Sequence, residues 1–174
     1  RHRMAQGQRA RLLGQLLVPV DADDRVPLRR APDVAAACAA AWGPGGGSRL
    51  VSLRELLGVT SAWEWQRKGV PVAALGGATI HPRHGVFSPV RGEYLDLVAQ
   101  APLPAGLREP GAVALDIGVG TGVLSAVLLR RGVPRVVATD LDLRALDCAR
   151  DNLARLGLAG RAELFAADLF PPAD

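Results

Sequence analysis

The sequence predicts an α/β protein: a doubly wound, mostly parallel sheet preceded by a small helical module. Three observations carry this. From Gly111 onward, short apolar runs alternate with helical patterns, and repeated strand-helix units imply a parallel sheet with right-handed crossovers. The first of those runs ends in Asp116 and is followed by glycines at alternate positions, Gly118, Gly120 and Gly122. Ala, Leu, Val and Gly dominate while aromatics are only 4%, which suits a parallel sheet covered by helices.

The elements follow in order. Residues 1–75 read as a helical substrate or partner module, residues 76–90 as a hairpin or extended connector, and residues 91–174 as the sheet domain. In the first part, "MAQGQRARLLGQLL" and "DVAAACAAAW" carry helical periodicity, the second starting at Pro32-Asp33. "GPGGGS" is a loop. "SLRELLG" has Ser52 as a cap with Glu55 three residues on, closed by Gly58, and "TSAWEWQRKG" repeats the pattern from Thr60 or Ser61 to Gly69. In the connector, Ala78 and Ile80, then Val86 and Phe87, flank "HPRHG". "RGEYLDLVAQAPL" begins a helix with Tyr94, Leu95, Leu97 and Val98 on or near one face, ended by Pro102 and Pro104. Then come the strand "AVALDIG", the helix "VLSAVLLRRG", the strand "RVVATD", the helix "LDLRALDCARDNLARLG" and the strand "AELFAAD". The second of these helices has Asp142 as N-cap, Gly157 as stop, and a stripe of Leu143, Leu146, Leu153 and Leu156.

Composition bounds the function. At 174 residues and 49% hydrophobic, the chain can build a globular core, and disorder is disfavoured. The net charge of +4 comes from basic residues that are all arginine except Lys68 and are spread along the whole chain, so charge alone marks no nucleic-acid patch. Cys38 and Cys148 stand far apart, in neither a zinc spacing nor a disulfide framework, and read as buried free thiols. No apolar stretch approaches the ~20 residues that span a bilayer, and residues 1–10 lack the apolar core of a signal peptide. The expectation is a soluble, cytoplasmic protein.

The glycine loop narrows the ligand. A dinucleotide fingerprint would put its third glycine at the position held by Val123, and no Gly-Lys-Ser/Thr follows as a P-loop demands. Asp116 would repel a pyrophosphate but suits a ligand presenting ammonium and hydroxyl groups. Gly118 and Gly120 let the backbone approach that ligand with no side chain in the way. Asp140 ends the second strand at the distance expected of a ribose-binding carboxylate, about 20 residues beyond the loop. Asp168 ends the third, where it can accept a hydrogen bond from an adenine amine. All three acids fall at the carboxyl ends of the strands, where open α/β sheets bind their ligands.

"ALDIGVGTGVLS", "VVATDLDLRALDCARDNLARLGL" and "AELFAADLF" resemble the first three motifs of class I S-adenosylmethionine-dependent methyltransferases. Within that class the chain is similar to the methyltransferase small domain group, which includes release-factor glutamine methyltransferases and ribosomal RNA guanine methyltransferases. Ala149 to Asn152 gives the group's "A-x-x-N" run, and "VFSPVRGEY" resembles its segment ahead of the first motif. The resemblance covers about residues 80–174 and implies a Rossmann-like fold, incomplete here. It further implies that S-adenosyl-L-methionine is the cofactor. Gly118 and Gly120 would line its methionine side beside Asp116, with Thr121 and Gly122 completing the loop. Asp140 would hold the ribose and Asp168 the adenine amine, Leu141 and Leu169 would flank the adenine, and Phe87 with Ser88-Pro89 would lie near the methionine tail. The implied reaction is methyl transfer to an amino or amide nitrogen, on a protein glutamine (a translation factor) or an RNA base such as ribosomal RNA. The group's catalytic Asn-Pro-Pro-aromatic motif is not found: Phe170 precedes Pro171-Pro172 where Asn should stand. No catalytic residue is assigned, and the sequence reads as a fragment of a longer protein.

Other residues read as structural. His81 and His84 have no third ligand nearby, so no metal is expected; Trp63 and Trp65 read as packing rather than base stacking. Arg29-Arg30 and Arg130-Arg131 read as solvated ends, and Asp147 and Asp151 as an exposed helix face. Two other functions stay open: a non-catalytic cofactor-binding fragment, and a nicotinamide-dependent oxidoreductase, the latter disfavoured by Val123 and Asp116.

Overall fold

The computed structural model describes residues 2–90 and 92–171. Arg1, Arg91 and residues 172–174, which include the second proline of Pro171-Pro172, lie outside the described residues. The chain divides into two compact units, residues 1–67 and 68–174.

The first unit holds helices α1 (His2–Gln15), α2 (Ala35–Trp42) and α3 (Leu53–Lys68), with an antiparallel ribbon of β1 (Leu17–Val20) and β2 (Arg49–Ser52). The sequence reads this part as mainly helical, with no strand in it. Its ribbon escaped notice because Pro19 interrupts β1, which is tolerable only in an edge pairing such as Pro19 opposite Leu50. Asp33 Oδ1 accepts from Ala35 N at 3.1 Å, and Ser52 Oγ from Glu55 N at 3.1 Å, so both helix starts stand where the sequence puts them. Gly58 does not end a helix, however: α3 runs straight through it. Thr60, expected as a cap, instead turns its hydroxyl back onto the carbonyls of Leu56 and Leu57. One helical glycine costs about 1 kcal/mol, and the burial of Leu56 and Val59 on either side offsets it. Val20, Val34, Cys38, Val51 and Leu56 form one apolar cluster; Trp63 packs on a second, while Trp65 is exposed. Above them Asp24 Oδ1 pairs with Arg49 Nη2 at 2.6 Å, and Arg49 covers the Trp42 ring at 4.5 Å.

The second unit opens with a two-residue hairpin, β3 (Val70–Pro71) against β4 (Thr79–Ile80), bracketing a 3₁₀ turn at Ala73–Leu75. The hairpin thus precedes "HPRHG" instead of enclosing it, and residues 81–90 run without strand pairing. Helix α4 (Glu93–Gln100) buries Leu95 and leaves Leu97 exposed, so its apolar face is narrower than the sequence suggests. Then β5 (Val113–Ile117), α5 (Val123–Arg130), β6 (Arg135–Asp140), α6 (Leu143–Arg155) and β7 (Ala162–Ala166) build a parallel sheet in the order β5-β6-β7. Asp116 lies opposite Ala138, and Asp140 opposite Ala166.

Both crossovers step the same way across this sheet, so right-handed connections place α5 and α6 on one face. That face carries the main core: Leu95, Val123, Ala126, Val127, Val136, Ala138, Leu146, Ala149 and Leu153 are all buried in it. The other face of β5 presents Val113, Leu115 and Ile117, which are 41%, 51% and 46% exposed. Asp142 Oδ1 accepts from Arg144 N at 2.9 Å and caps α6 as expected, and Gly157, at φ +71°, follows its end. The predicted leucine stripe is shorter by one residue. Leu143 is 65% exposed because it sits in the first turn, ahead of the packed face that starts at Ala145 and Leu146.

Leu153→Ala should therefore cost about 2–5 kcal/mol of stability, whereas Leu143→Ala should stay within about 0.5 kcal/mol. Urea unfolding of the two variants checks both values.

Candidate cofactor site

The loop between β5 and α5 is held through its own backbone groups, which bond to backbone carbonyls and to the side chains of Asp140 and Asn152. Gly118, Gly120 and Gly122 have φ of +77°, +53° and +78°, a region that side chains rarely enter. The amides of Gly118 and Val119 both donate to the Thr139 carbonyl, at 2.8 and 2.9 Å. Gly120 N donates to Asp140 Oδ2 at 3.0 Å, while Asp142 N donates to Asp140 Oδ1 at 3.0 Å. The two oxygens are thereby fixed in direction, and each keeps a further lone pair.

The three glycines do different work. A Cβ built on Gly118 would meet nothing within 4 Å, and one on Gly120 only the Gly118 carbonyl at 3.9 Å. The space above both is open. A Cβ on Gly122 would stand 3.1 Å from Ala149, so this glycine lets α5 approach α6 closely. Thr121 is buried, and its carbonyl accepts from Asn152 Nδ2 at 3.0 Å.

Asn152 is a junction that the sequence marked only as part of a motif. It is 1% exposed; its Oδ1 accepts from His81 N at 2.8 Å, and its Nδ2 donates to the carbonyls of His81 and Thr121. A buried amide with all these bonds made ties the connector to the glycine loop. The connector is also stapled along α6 by Arg83, with Asp151 at 2.6 Å and Asp147 at 3.7 Å, and by Arg144 Nη1 donating to the His84 carbonyl at 3.2 Å. The two aspartates are exposed as expected, but they have a partner. Phe87 stands in this connector and is 72% exposed. Ser88 Oγ is buried without a hydrogen-bond partner.

Asp116 is buried, and its Oδ2 accepts from Ser125 N at 3.0 Å and Ser125 Oγ at 2.5 Å. It thus caps the first turn of α5, whose N-cap glycine has no side chain to do so. Burial pushes its carboxyl above the ordinary aspartate value, the Ser125 bonds pull it back, and the charge of Asp140 adds to the rise. Tyr94 of α4 also faces this charge: its phenol is pushed up by burial and then by Asp116. Sequence reasoning missed Tyr94 as a neighbour of the site because it read only as part of an apolar face.

On the far side, the Asp168–Phe170 turn follows β7. Phe170 N donates to the Asp168 carbonyl at 2.8 Å, and Leu169 has φ +63°. Ala167 N reaches the Asp140 carbonyl at 3.2 Å, which brings this turn beside the end of β6. Leu141 and Leu169 are 72% and 57% exposed, and Asp168 is exposed as well. The structure thus gathers Asp116, the glycine loop, Asp140 and the Asp168–Leu169 turn at one end of the sheet. Phe87 shares none of the hydrogen bonds that join them.

Over residues 77–174, more than half of its length, the chain matches the family model of the methyltransferase small domain, and it belongs to that family. It is 45% identical over 69 residues to a release factor glutamine methyltransferase of Cereibacter sphaeroides, covering 39% of this chain and 25% of that protein. It is 38% identical over 60 residues to a ribosomal protein L11 methyltransferase of Edwardsiella ictaluri, covering 34% of this chain and 20% of that one. A solved structure of a candidate RNA methyltransferase from Pyrococcus horikoshii is 36% identical, covering 32% of this chain and 26% of that one, with a TM-score of 0.30. The chain therefore spans a quarter or less of the length of these two curated relatives. Among the described residues, no helix is long and apolar enough to cross a membrane.

The raised Asp116 titration predicts a pH signature. Its protonated form is favoured in the fold, so that contribution is complete below the unfolded aspartate value and lost as pH rises through the higher folded value. Asp116→Asn should thus gain stability relative to the native protein as pH climbs through the carboxylate range, then level off. Urea midpoints measured from pH 3 to 8 check the trend; a difference that stays flat across the range would contradict it.

Proposed function

We propose that the chain binds S-adenosyl-L-methionine at the carboxyl end of the sheet and serves methyl transfer to an amino or amide nitrogen. The observation that carries this is the pairing of Gly120 N with Asp140 Oδ2 beneath open space at Gly118 and Gly120. A carboxylate oriented by two backbone amides, beside a loop without side chains, fits a ribose diol. The electrostatics favour the same ligand. The charge of Asp140 disfavours ionisation of Asp116, and a cationic ligand relieves that repulsion where a pyrophosphate would increase it. Ser88 Oγ supplies a buried polar atom for the amino-acid end.

When bound, S-adenosylmethionine supplies an electrophilic methyl group on a sulfonium. The residues of this chain bind and orient it: Asp140 the ribose, Asp168 the adenine amine, Leu141 and Leu169 the faces of the base. Asp116 places negative charge beneath the methionine side, together with Gly118, Gly120 and Thr121, while Gly122 keeps the loop on α6. Orientation of the two reactants is the main physical contribution such a transfer requires. Residues 1–75 are assigned as a substrate module and residues 76–90 as its connector. The relatives named for release factors and ribosomal protein L11 favour a protein acceptor over ribosomal RNA.

Calorimetry of the purified protein should show binding of S-adenosylhomocysteine and none of NADH. Asp140→Ala should weaken that binding by about 10–100-fold, the equivalent of ~1.5–3 kcal/mol for hydrogen bonds to a charged group. Binding of NADH alone would overturn the reading in favour of a nicotinamide enzyme. Mass spectrometry of release factors, ribosomal protein L11 and ribosomal RNA, each incubated with protein and cofactor, identifies the acceptor. Cofactor binding with no acceptor methylated would favour a non-catalytic binding module.

A further inference from the structure

We propose that Thr139 is a positioning residue that sets selection of the nucleobase by holding the Asp168–Leu169 turn. This rests on the cofactor reading above. Thr139 is 2% exposed at the end of β6, and its Oγ1 donates to the Leu169 carbonyl at 2.7 Å across 30 residues of sequence. Leu169 sits at φ +63°, a conformation a leucine does not adopt unaided. Its side chain and that of Asp168 are exposed, so burial does not hold the turn in place. Among the described residues three bonds do: Ala167 N to the Asp140 carbonyl, Phe170 N to the Asp168 carbonyl, and the Thr139 hydroxyl to the Leu169 carbonyl. Only the last comes from a side chain.

The same residue fixes the opposite half of the site. Its carbonyl receives Gly118 N and Val119 N, so one buried threonine sets the distance between the glycine loop and the carboxylate that meets the adenine amine. Strand packing does not explain the residue type: valine has the same shape and would fill the position, but it has no hydroxyl to donate.

The test compares S-adenosylhomocysteine with S-inosylhomocysteine, in which the adenine amine is replaced by a carbonyl, by calorimetry on the native protein, T139V, T139S and D168N. The native protein should prefer the amine ligand by about tenfold or more, the value of a hydrogen bond to a carboxylate. T139V should bring that ratio towards one, as D168N does, whereas T139S, which keeps the hydroxyl, should restore it. T139V should also speed amide exchange at Ala167 and Phe170 in the absence of any ligand. A T139V protein that keeps the native ratio, even with both affinities lowered together, would show a merely structural residue and overturn the proposal. So would unchanged exchange in the turn. A native protein that binds neither nucleoside would instead overturn the cofactor reading, and base selection with it.

Discussion

The end of β6 is the constraint on which the site depends. A loop with three glycines at positive φ has few side chains with which to anchor itself, and the freedom that lets it pass close to a ligand would also let it wander. It is fixed because the Thr139 carbonyl takes two of its amides and the Asp140 carboxylate takes a third. Each such bond is worth only about 1 kcal/mol net. They act together because the strand that supplies the acceptors is locked in register, Ile117 opposite Thr139 opposite Phe165. The sheet thus converts register into loop geometry, and the loop needs no residue of its own to be rigid.

This arrangement has an energetic cost that falls on Asp116. A carboxylate buried beneath the loop and within reach of the Asp140 charge is unfavourable in the ligand-free protein, and the Ser125 bonds only partly offset it. A neutral residue would serve the fold better. The acid does have a place in the fold, since its Oδ2 caps the first turn of α5 through Ser125, and the ligand role proposed for it does not compete with that bond.

Much of this was legible in the sequence, because the signals were local. Asp142 announces α6 as an N-cap, Ser52 with Glu55 announces α3, and alternating strand and helix patterns announce the parallel sheet. The three acids could be placed at strand ends from pattern alone. What stayed illegible depends on partners distant in sequence. Gly122 looks like Gly118 on paper, and only the neighbouring Ala149 shows that it serves packing. Asn152 and Thr139 act through the carbonyls of His81, Thr121 and Leu169, and no spacing rule predicts a bond of that kind. Gly58 misled for the opposite reason: a local stop signal was overridden by burial of the residues on either side.

The order of the chain has a consequence during synthesis. The ribosome releases β5 and its glycine loop first, but the acceptors that shape the loop lie about 20 residues later, on a strand that pairs in parallel only after α5 has crossed over. The Leu169 turn is later still, 30 residues beyond Thr139. Until β6 has emerged, the loop is an unanchored glycine tether with an apolar strand behind it. The loop and the Leu169 turn are thus completed from the middle strand outward, and a nascent chain halted between α5 and β6 would hold the loop's sequence without its shape.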